Sequence, residues 1–316
     1  MITADVKLML KKQHYEVVGN HTRVKVCHWT KSELRGQGGC YKKKFYGINS
    51  HQCIQMTPTF VCNNACVFCW RDLRYHTQPA MEGDIDNPSD IVEGTLEAQR
   101  KLLTGFGGND STSKEMFEQS KEPQHVAISL DGEPTLYPRL AELIKEYKKK
   151  NFSTFVVSNG LMPERIEKLL EEPPTQLYIS VDAPNEELFN IIDRPIIKNA
   201  WQGLYKTLSI LPKIGENTRI VLRFTLIKGM NMIYPEQWAG IIKLSNPMFV
   251  EVKAYMWIGM SRERLEQANM PLHNEVNEFA KEIAKHAGYK VIDEHEPSRV
   301  VLLMKQDFEG RVMKFD

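Results

Sequence analysis

Long apolar runs, an excess of charge of one sign and cysteines beyond residue 69 are all missing from this sequence. A membrane-spanning helix needs about 18 or more predominantly apolar residues in succession, and no run approaches that length, so no membrane span is predicted. The N-terminal residues lack a basic segment followed by an apolar one, so no secretory signal peptide is expected. The formal net charge is only +1, so any nucleic-acid partner must be bound by local basic patches.

All six cysteines fall between Cys27 and Cys69. Disulfide frameworks are typical of short secreted chains, whereas this chain has 316 residues and no sign of secretion. Metal ligation by thiols is therefore the expected use of these cysteines, and a reducing cytoplasm is the expected location. The content of 42% hydrophobic and 26% charged residues is that of a soluble globular protein with a sizeable core.

Cys62, Cys66 and Cys69 form the pattern C-x3-C-x2-C within one short segment. Thiolates this close favour zinc or an iron–sulfur cluster. A structural zinc site usually has a fourth cysteine or histidine nearby, and the next candidate is His76. A cluster held by three thiolates, with one iron left open, suits the spacing better. Buried, unreactive thiols remain the plainer alternative.

Cys27, Cys40 and Cys53 form a second set, with twelve residues between each pair of neighbours. Wide, equal spacing is a weak signal alone, because scattered cysteines often lie unused in protein cores. The crowding of all six cysteines into one region, around the lysine-rich segment 42–44, strengthens it. The sequence predicts a second three-cysteine iron–sulfur site here.

From Ile54 to Ala254, six apolar β-type segments alternate with amphipathic helical ones. This alternation predicts parallel strands with right-handed crossovers. The expected fold is α/β, a partial (β/α)6 TIM-like barrel over 54–260, with an N-terminal extension (1–53) and a C-terminal extension (261–316). Residues 31–39 are predicted to form a loop, and Val300–Met304 to pair with Arg311–Lys314 as a final hairpin.

Polar segments follow several predicted strands directly. They are the first cysteine loop, residues 131–135, residues 158–160 and Asp182. In barrels of this type, catalytic groups collect at the C-terminal ends of the strands. The sequence therefore predicts one active site built from these segments, although 131–135 could also be a simple turn.

The first cysteine set, with Phe68 before its last member, resembles the signature of the radical S-adenosylmethionine (SAM) superfamily. The resemblance implies that Cys62, Cys66 and Cys69 hold a [4Fe–4S] cluster whose open iron binds SAM. Gly132 and Glu133 resemble the Gly-Gly-Glu motif that binds the SAM amino group, although Asp131 replaces its first glycine. By the same resemblance, the further SAM-binding candidates are Ser158 and Asn159 at the ribose, Asp182 at the ribose or substrate, and Arg223 at the carboxylate.

A longer pattern is similar to that of the 4-demethylwyosine synthases, which modify tRNA. It comprises Cys40-Tyr-Lys-x-Lys-Phe-Tyr-Gly-Ile-x-Ser-His-x-Cys53-Ile-Gln, then Thr57-Pro, then Phe68-Cys69-Trp70-Arg71. This resemblance implies conversion of N1-methylguanosine beside the anticodon of tRNA(Phe) to 4-demethylwyosine through a 5′-deoxyadenosyl radical, with pyruvate as the two-carbon donor. The chain is similar to the short archaeal members, which lack the flavodoxin-like domain. An external electron donor of flavodoxin or ferredoxin type is then expected.

Carried onto this sequence, the family pattern gives Cys27, Cys40 and Cys53 a second [4Fe–4S] cluster. Lys42 would form a Schiff base with pyruvate, with Lys44 as the alternative and the cations Lys43 and Lys44 favouring a neutral amine. The lysines could instead only contact tRNA phosphates. The modified base would be flipped from the anticodon loop, and the aromatic residues available for stacking are Tyr41, Phe45, Tyr46 and Trp70.

Two other interpretations stay open from the sequence. One is a different radical SAM enzyme, such as an activase that generates a glycyl radical on a partner protein. The other is a non-enzymatic iron–sulfur protein that binds tRNA and relays electrons.

Overall fold

The computed structural model describes residues 4–315, which contribute strands to one ten-stranded sheet. The strands are Glu16–Val18 (β1), Thr22–Val24 (β2), Cys53–Thr57 (β3), His125–Ile128 (β4), Ser153–Ser158 (β5), Gln176–Ser180 (β6), Arg219–Leu226 (β7), Phe249–Ala254 (β8), Lys290–His295 (β9) and Val300–Met304 (β10). The order across the sheet is β1-β2-β3-β4-β5-β6-β7-β8-β10-β9. Neighbours from β3 to β8 are parallel, and the outer pairs are antiparallel.

Helices connect and cover these strands. They are Ala4–Lys12 (α1), His28–Leu34 (α2), Tyr41–Tyr46 (α3), Leu73–His76 (α4), Pro88–Leu103 (α5), Lys114–Ser120 (α6), Leu140–Lys149 (α7), Pro163–Glu167 (α8), Glu186–Ile192 (α9), Ala200–Ile214 (α10), Pro235–Ser245 (α11) and His273–Ala287 (α12). Among residues 4–315, no helix combines the length and apolarity needed to cross a bilayer.

The six parallel strands confirm the partial barrel predicted for Ile54 to Ala254. Each extension adds strands to one edge of the same sheet, β1 and β2 at one end, β10 and β9 at the other. The division at residues 53 and 260 stays a prediction, because both extensions continue a single sheet.

The outer face of the barrel and its covering helices form the largest apolar core. A second core fills the concave interior, where Phe45 and Tyr46 of α3 pack with Phe155, Tyr178 and Phe249. Phe155, Tyr178 and Phe249 lie on three different strands, each at an inward-facing position, because inward and outward positions alternate along a strand. Helix α3 therefore closes one end of the barrel from within.

Two local predictions were wrong. Residues 31–34 belong to helix α2, not to a loop, because Thr30 and Leu34 of that helix are buried and anchor it against the body of the protein. Strand β10 pairs with β9 and β8 rather than with residues 311–314. Lys290–His295 gives β10 a continuous antiparallel partner, whereas residues 311–314 cross beneath α3, where the Met313 amide donates to the Tyr46 carbonyl (3.0 Å).

Candidate active site

The first cysteine loop lies at the C-terminal end of β3 and is held by hydrogen bonds along its length. The Cys62 amide donates to the His76 carbonyl (2.8 Å), and the Val67 amide donates to the Ile192 carbonyl (2.8 Å). The Arg264 guanidinium donates to the backbone carbonyls of Val67 and Cys69. These bonds fix the loop that carries the three thiols to α4, α9 and the segment after β8.

All six cysteines are free thiols, and the three of this loop lie in a low-dielectric setting. Burial raises the pKa of Cys62, Cys66 and Cys69. The Cys66 thiol also approaches the Asp193 carboxylate, with 3.6 Å between sulfur and Oδ1. Metal binding must displace these thiol protons, and a bound cationic centre supplies the compensating charge.

Within residues 4–315, no three histidine, cysteine or acidic side chains converge tightly enough to bind a single metal ion. A mononuclear zinc site therefore has no ready ligand set in that range. A [4Fe–4S] site makes a different demand, because each of its three thiolates binds a separate iron. The loop carrying Cys62, Cys66 and Cys69 suits a cluster of that kind.

Glu133 lies at the C-terminal end of β4, next to the cysteine loop. Its buried carboxylate accepts from the Thr135 amide (3.0 Å) and hydroxyl (2.7 Å), the Ser158 hydroxyl (2.7 Å) and the Asn159 amide (2.7 Å). Burial raises the pKa of Glu133, and these hydrogen bonds oppose the rise. Glu133, Ser158 and Asn159 thus form one hydrogen-bonded group, and their role in binding SAM stays a prediction.

Gly132 has a φ of +67°, and a Cβ at this position would lie 2.2 Å from the Thr59 carbonyl oxygen. Only glycine fits this close approach between the turn and the start of the cysteine loop. The departure from the family motif at Asp131 also has a structural reason. The Asp131 carboxylate is buried and pairs with Arg23 (3.3 Å) and Arg71 (3.1 Å). A glycine at position 131, as in the family motif, would leave these two cations without this carboxylate.

Asp182 follows β6 and is fully enclosed beside the cysteine loop. Its carboxylate accepts from the Thr225 amide (2.9 Å), and burial raises its pKa. Burial also raises the pKa of Asp193, to which the charge of Asp182 contributes. Arg223 is paired across the sheet with Ser180, and its guanidinium donates to the Ser180 hydroxyl (3.1 Å). It therefore lies on the interior face of the sheet, one strand beyond β6 and three strands beyond β4, which Glu133 follows.

The second cysteine set comes from three different elements. Cys27 immediately precedes α2, Cys40 immediately precedes α3, and Cys53 begins β3. Burial, together with the charge of Cys27, raises the pKa of Cys40 to about 12. Burial also raises the pKa of Cys53 to about 12, and the charges of Cys27 and Cys40 contribute to that rise. The Cys40 and Cys53 thiols therefore lie within electrostatic range of Cys27 and of each other.

Glu33 ties the segments of this second set to each other. One of its oxygens accepts from the His51 backbone amide (2.8 Å) and side-chain Nδ1 (3.1 Å), and the other accepts from the Lys43 ammonium. Lys43 is three residues beyond Cys40, and His51 is two residues before Cys53. The carboxylate of α2 therefore fixes the spacing of both neighbouring cysteine segments.

The three consecutive lysines have different surroundings. The Lys42 ammonium lies 4.5 Å from the centre of the Tyr178 ring and 5.5 Å from that of Phe155, inside the barrel. Lys43 is paired with Glu33, and Lys44 with Asp293 at the surface (2.8 Å). The charges of Lys43 and Lys44 are thus compensated by carboxylates, so the expected influence of these cations on Lys42 is reduced.

Three interior residues were missed by the sequence analysis. Lys253 on β8 is half-buried, donates to the Ser298 carbonyl (2.5 Å), and has its pKa lowered by burial to about 8. Glu251, also on β8, accepts from the hydroxyls of Tyr41 (2.9 Å) and Tyr46 (2.8 Å). Asp193 is the third. The alternation of β8 was the available signal, because it puts both Glu251 and Lys253 on the inner face.

Of the four aromatic residues predicted to be available for stacking, three are core residues. Tyr41, Phe45 and Tyr46 are buried in the barrel interior, because α3 inserts there and Glu251 binds both tyrosine hydroxyls. Trp70 alone of the four is substantially exposed, at 37%.

A partial barrel with a three-cysteine loop and a buried glutamate at adjacent strand ends defines a radical SAM enzyme. Residues 56–240 match the Radical SAM superfamily, and residues 244–305 match the family described as Wyosine base formation. The S-adenosyl-L-methionine-dependent tRNA 4-demethylwyosine synthase of Pyrococcus abyssi is 47% identical over 309 residues, covering 96% of this chain and 90% of that protein. The chain therefore belongs to the tRNA 4-demethylwyosine synthase family.

Solved structures agree with this assignment. A structure of TYW1 with a lysine-pyruvate adduct bound has a TM-score of 0.89 and 38% identity, covering 99% of this chain and 100% of that one. An archaeal TYW1 crystal structure has a TM-score of 0.79 and 36% identity, covering 96% and 97% respectively. The wyosine match favours a tRNA-modifying enzyme over both the glycyl-radical activase and the non-enzymatic interpretation.

Proposed function

We propose that this protein converts N1-methylguanosine beside the anticodon of tRNA(Phe) to 4-demethylwyosine, using pyruvate as the two-carbon donor. The observation that carries the proposal is the interior position of the Lys42 amine, between two aromatic rings and within electrostatic range of Cys40 and Cys53. The solved structure of TYW1 with a lysine-pyruvate adduct bound supports a lysine as the pyruvate site.

Cys62, Cys66 and Cys69 would hold the [4Fe–4S] cluster that binds SAM. The cluster and SAM together would supply a 5′-deoxyadenosyl radical when both are bound. Gly132, Glu133, Ser158 and Asn159 would bind SAM itself, with Asp182 and Arg223 at its edges. SAM carries an ammonium and a sulfonium group, so it would bring positive charge to this site. The enclosed carboxylates of Glu133, Asp182 and Asp193 match that charge, because a buried carboxylate without a cation is costly.

Cys27, Cys40 and Cys53 would hold a second [4Fe–4S] cluster. The convergence of their thiols from three separate elements supports this role, and the Glu33 bonds to both flanking segments maintain it. The test is anaerobic reconstitution with iron and sulfide, followed by iron determination in the wild type and in a Cys27/Cys40/Cys53→Ala variant. We expect about eight irons per chain in the wild type and about four in the variant. About four in both proteins would contradict the second site.

Lys42 would attack the ketone carbon of pyruvate as a neutral amine, forming a carbon–nitrogen double bond and releasing the carbonyl oxygen as water. The rings of Phe155 and Tyr178 lie on either side of this amine and hold it inside the barrel. The pyruvate carboxylate then needs a cation. Lys253 and Arg223 are the candidates, because both lie on the inner face of neighbouring strands and influence each other electrostatically.

Reductive trapping tests the lysine directly, without any need for turnover. Reconstituted protein would be incubated with pyruvate and borohydride, and its peptides mapped by mass spectrometry. We expect a reduced pyruvate adduct on Lys42 that is absent from Lys42→Ala and retained in the matched surface control Lys44→Ala. An adduct that survives in Lys42→Ala but disappears in Lys253→Met would assign the role to Lys253.

We also infer an external electron donor of flavodoxin or ferredoxin type and a cytoplasmic location. Six free thiols in one protein are consistent with a reducing compartment. Reduction of the cluster by a purified flavodoxin, measured as SAM cleavage, tests the donor. Cleavage that requires dithionite and never occurs with flavodoxin or ferredoxin would contradict it.

A further inference from the structure

A cavity of about 440 Å³ lies beside the first cysteine loop, outside the barrel interior. It is bounded by α1, by β2 and the residue after it, and by the segment that begins at Trp70, directly after Cys69. That volume is in the range of small-ligand sites. The backbone of Trp70 is fixed, because its carbonyl accepts from the Met260 amide (3.1 Å). One wall of the cavity is therefore continuous with the loop that would hold the cluster.

The cavity carries an excess of positive charge. Arg23, Lys25 and Arg71 line it, and the buried carboxylate of Asp131 offsets part of that charge by pairing with both arginines. Asp72, the acidic residue of the lining, is already bound by Arg74 (2.6 Å) and is not free to pair with them. The pocket is thus electrostatically suited to an anion.

Lys25 is the cation without a carboxylate partner. No ion pair involves it anywhere in the part of the chain that the structure describes, residues 4–315. Its ammonium lies 4.3 Å from the centre of the Tyr15 ring and 5.7 Å from that of Trp70.

The same cavity presents aromatic surface. Trp70 is 37% exposed and Tyr75 is 50% exposed, and Phe60 also lines the wall. The Arg71 guanidinium stacks on Trp70, with its central carbon 3.2 Å from the ring centre. Exposed aromatic rings next to lysine and arginine are the combination that binds unpaired nucleotides, because bases stack on the rings and phosphates pair with the cations.

We propose that this cavity binds an unpaired nucleotide of the tRNA anticodon loop adjacent to the modified one, with its base against Trp70 and its phosphate at Lys25. This inference rests on the proposed function. A base flipped into the barrel leaves its neighbours unstacked, and this cavity adjoins the cysteine loop through Trp70. The site thereby holds the loop while the reacting base is inside.

The experiment measures binding of a dye-labelled tRNA(Phe) anticodon stem-loop that carries N1-methylguanosine, by fluorescence anisotropy over a series of KCl concentrations. The protein is the anaerobically reconstituted enzyme, and iron per chain is determined for every variant. The variants are Lys25→Gln, Trp70→Ala and Trp70→Phe. Lys206→Gln on the exposed face of α10 is the matched control, because it removes the same charge far from the cysteine loops.

For Lys25→Gln we expect the slope of log K against log[salt] to become shallower by about 0.7, the loss of one phosphate contact on a single strand. Lys206→Gln should keep the wild-type slope. Trp70→Ala should bind about 5- to 140-fold more weakly, which corresponds to one lost stacking contact, and Trp70→Phe should recover most of that loss.

Two results would refute the inference in distinguishable ways. Wild-type binding and conversion of the stem-loop, with Lys25→Gln keeping the wild-type slope and affinity, would overturn this site alone. Failure of the wild type to bind or convert the stem-loop would overturn the proposed function, and this inference with it. Lys25 lies outside the first cysteine loop but two residues before Cys27, so its result is compared at an iron content equal to that of the wild type, and it then stands even if Trp70→Ala loses iron.

Discussion

Replacement of Glu33 by glutamine tests the interactions that support the second cysteine set. The carboxylate is 3% exposed and binds the segments before Cys53 and after Cys40 at once. Burial alone would raise the pKa of Glu33, but hydrogen bonds from His51 and Lys43 outweigh it and lower the pKa to about 2. Compared with an ordinary value of 4.5, that difference corresponds to about 3 kcal/mol of stability at neutral pH.

The sign of the pH dependence follows from the lowered pKa. As the pH falls, Glu33 takes up a proton near pH 4.5 in the unfolded chain but only near pH 2 in the native protein. The stabilisation is therefore complete above about pH 4.5 and is lost as the pH falls towards about 2. Glutamine keeps one acceptor oxygen but no charge, so we expect Glu33→Gln to lower the free energy of unfolding by about 2 to 3 kcal/mol at pH 7. The loss should be about 1 kcal/mol smaller at pH 3.5.

The assay is urea unfolding of the metal-free protein at both pH values, in parallel with iron determination after reconstitution. We expect Glu33→Gln to fall towards four irons per chain, because its two cysteine segments are no longer held together. Glu142→Gln is the control, since that carboxylate is exposed and bonded only within its own helical turn. A Glu33→Gln variant that matches this control in stability at both pH values would refute the reasoning.

Three further changes probe other contacts. Gly132→Ala puts a Cβ 2.2 Å from the Thr59 carbonyl oxygen at a φ of +67°, so urea unfolding should show a loss of about 2 to 4 kcal/mol, and an unchanged midpoint would contradict it. Arg264→Ala removes donors to the cysteine-loop carbonyls, including that of Cys69, so iron release to a chelator should be at least about tenfold faster than wild type. Lys253→Met removes a half-buried cation whose pKa is lowered to about 8, so the metal-free protein should gain about 1 to 3 kcal/mol at pH 7. That gain should vanish towards pH 10.5, while pyruvate-dependent turnover falls.

The barrel and the first site could be predicted because their signals are local in sequence. Each parallel strand is a short apolar segment, and its polar end-residues follow it directly, as Glu133 follows β4 and Asp182 follows β6. The rule that such ends meet at one edge then brings together Cys62, Glu133 and Asn159 without further information.

What could not be predicted depends on contacts between distant segments. Glu251 and Lys253 are isolated charged residues in one strand. Their role is not visible in the sequence, because their hydrogen-bond partners Tyr41, Tyr46 and Ser298 approach them only after folding. The partner of β10 was missed for a similar reason. Residues 290–295 and 311–314 are both plausible strands by composition. Residues 311–313 do not pair with β10, because Arg311 and Met313 donate hydrogen bonds to the Phe45 and Tyr46 carbonyls of α3 instead.

The position of α3 has a consequence for biosynthesis. This early helix packs inside the barrel against Phe249, Val300 and Leu302, and its last carbonyls accept from Arg311 and Met313. In a chain emerging from the ribosome, the surface that seats α3 is incomplete until residues 300–313 have followed. We therefore expect the segments that carry Cys27, Cys40 and Cys53 to take their final positions late, after most of the chain has been made.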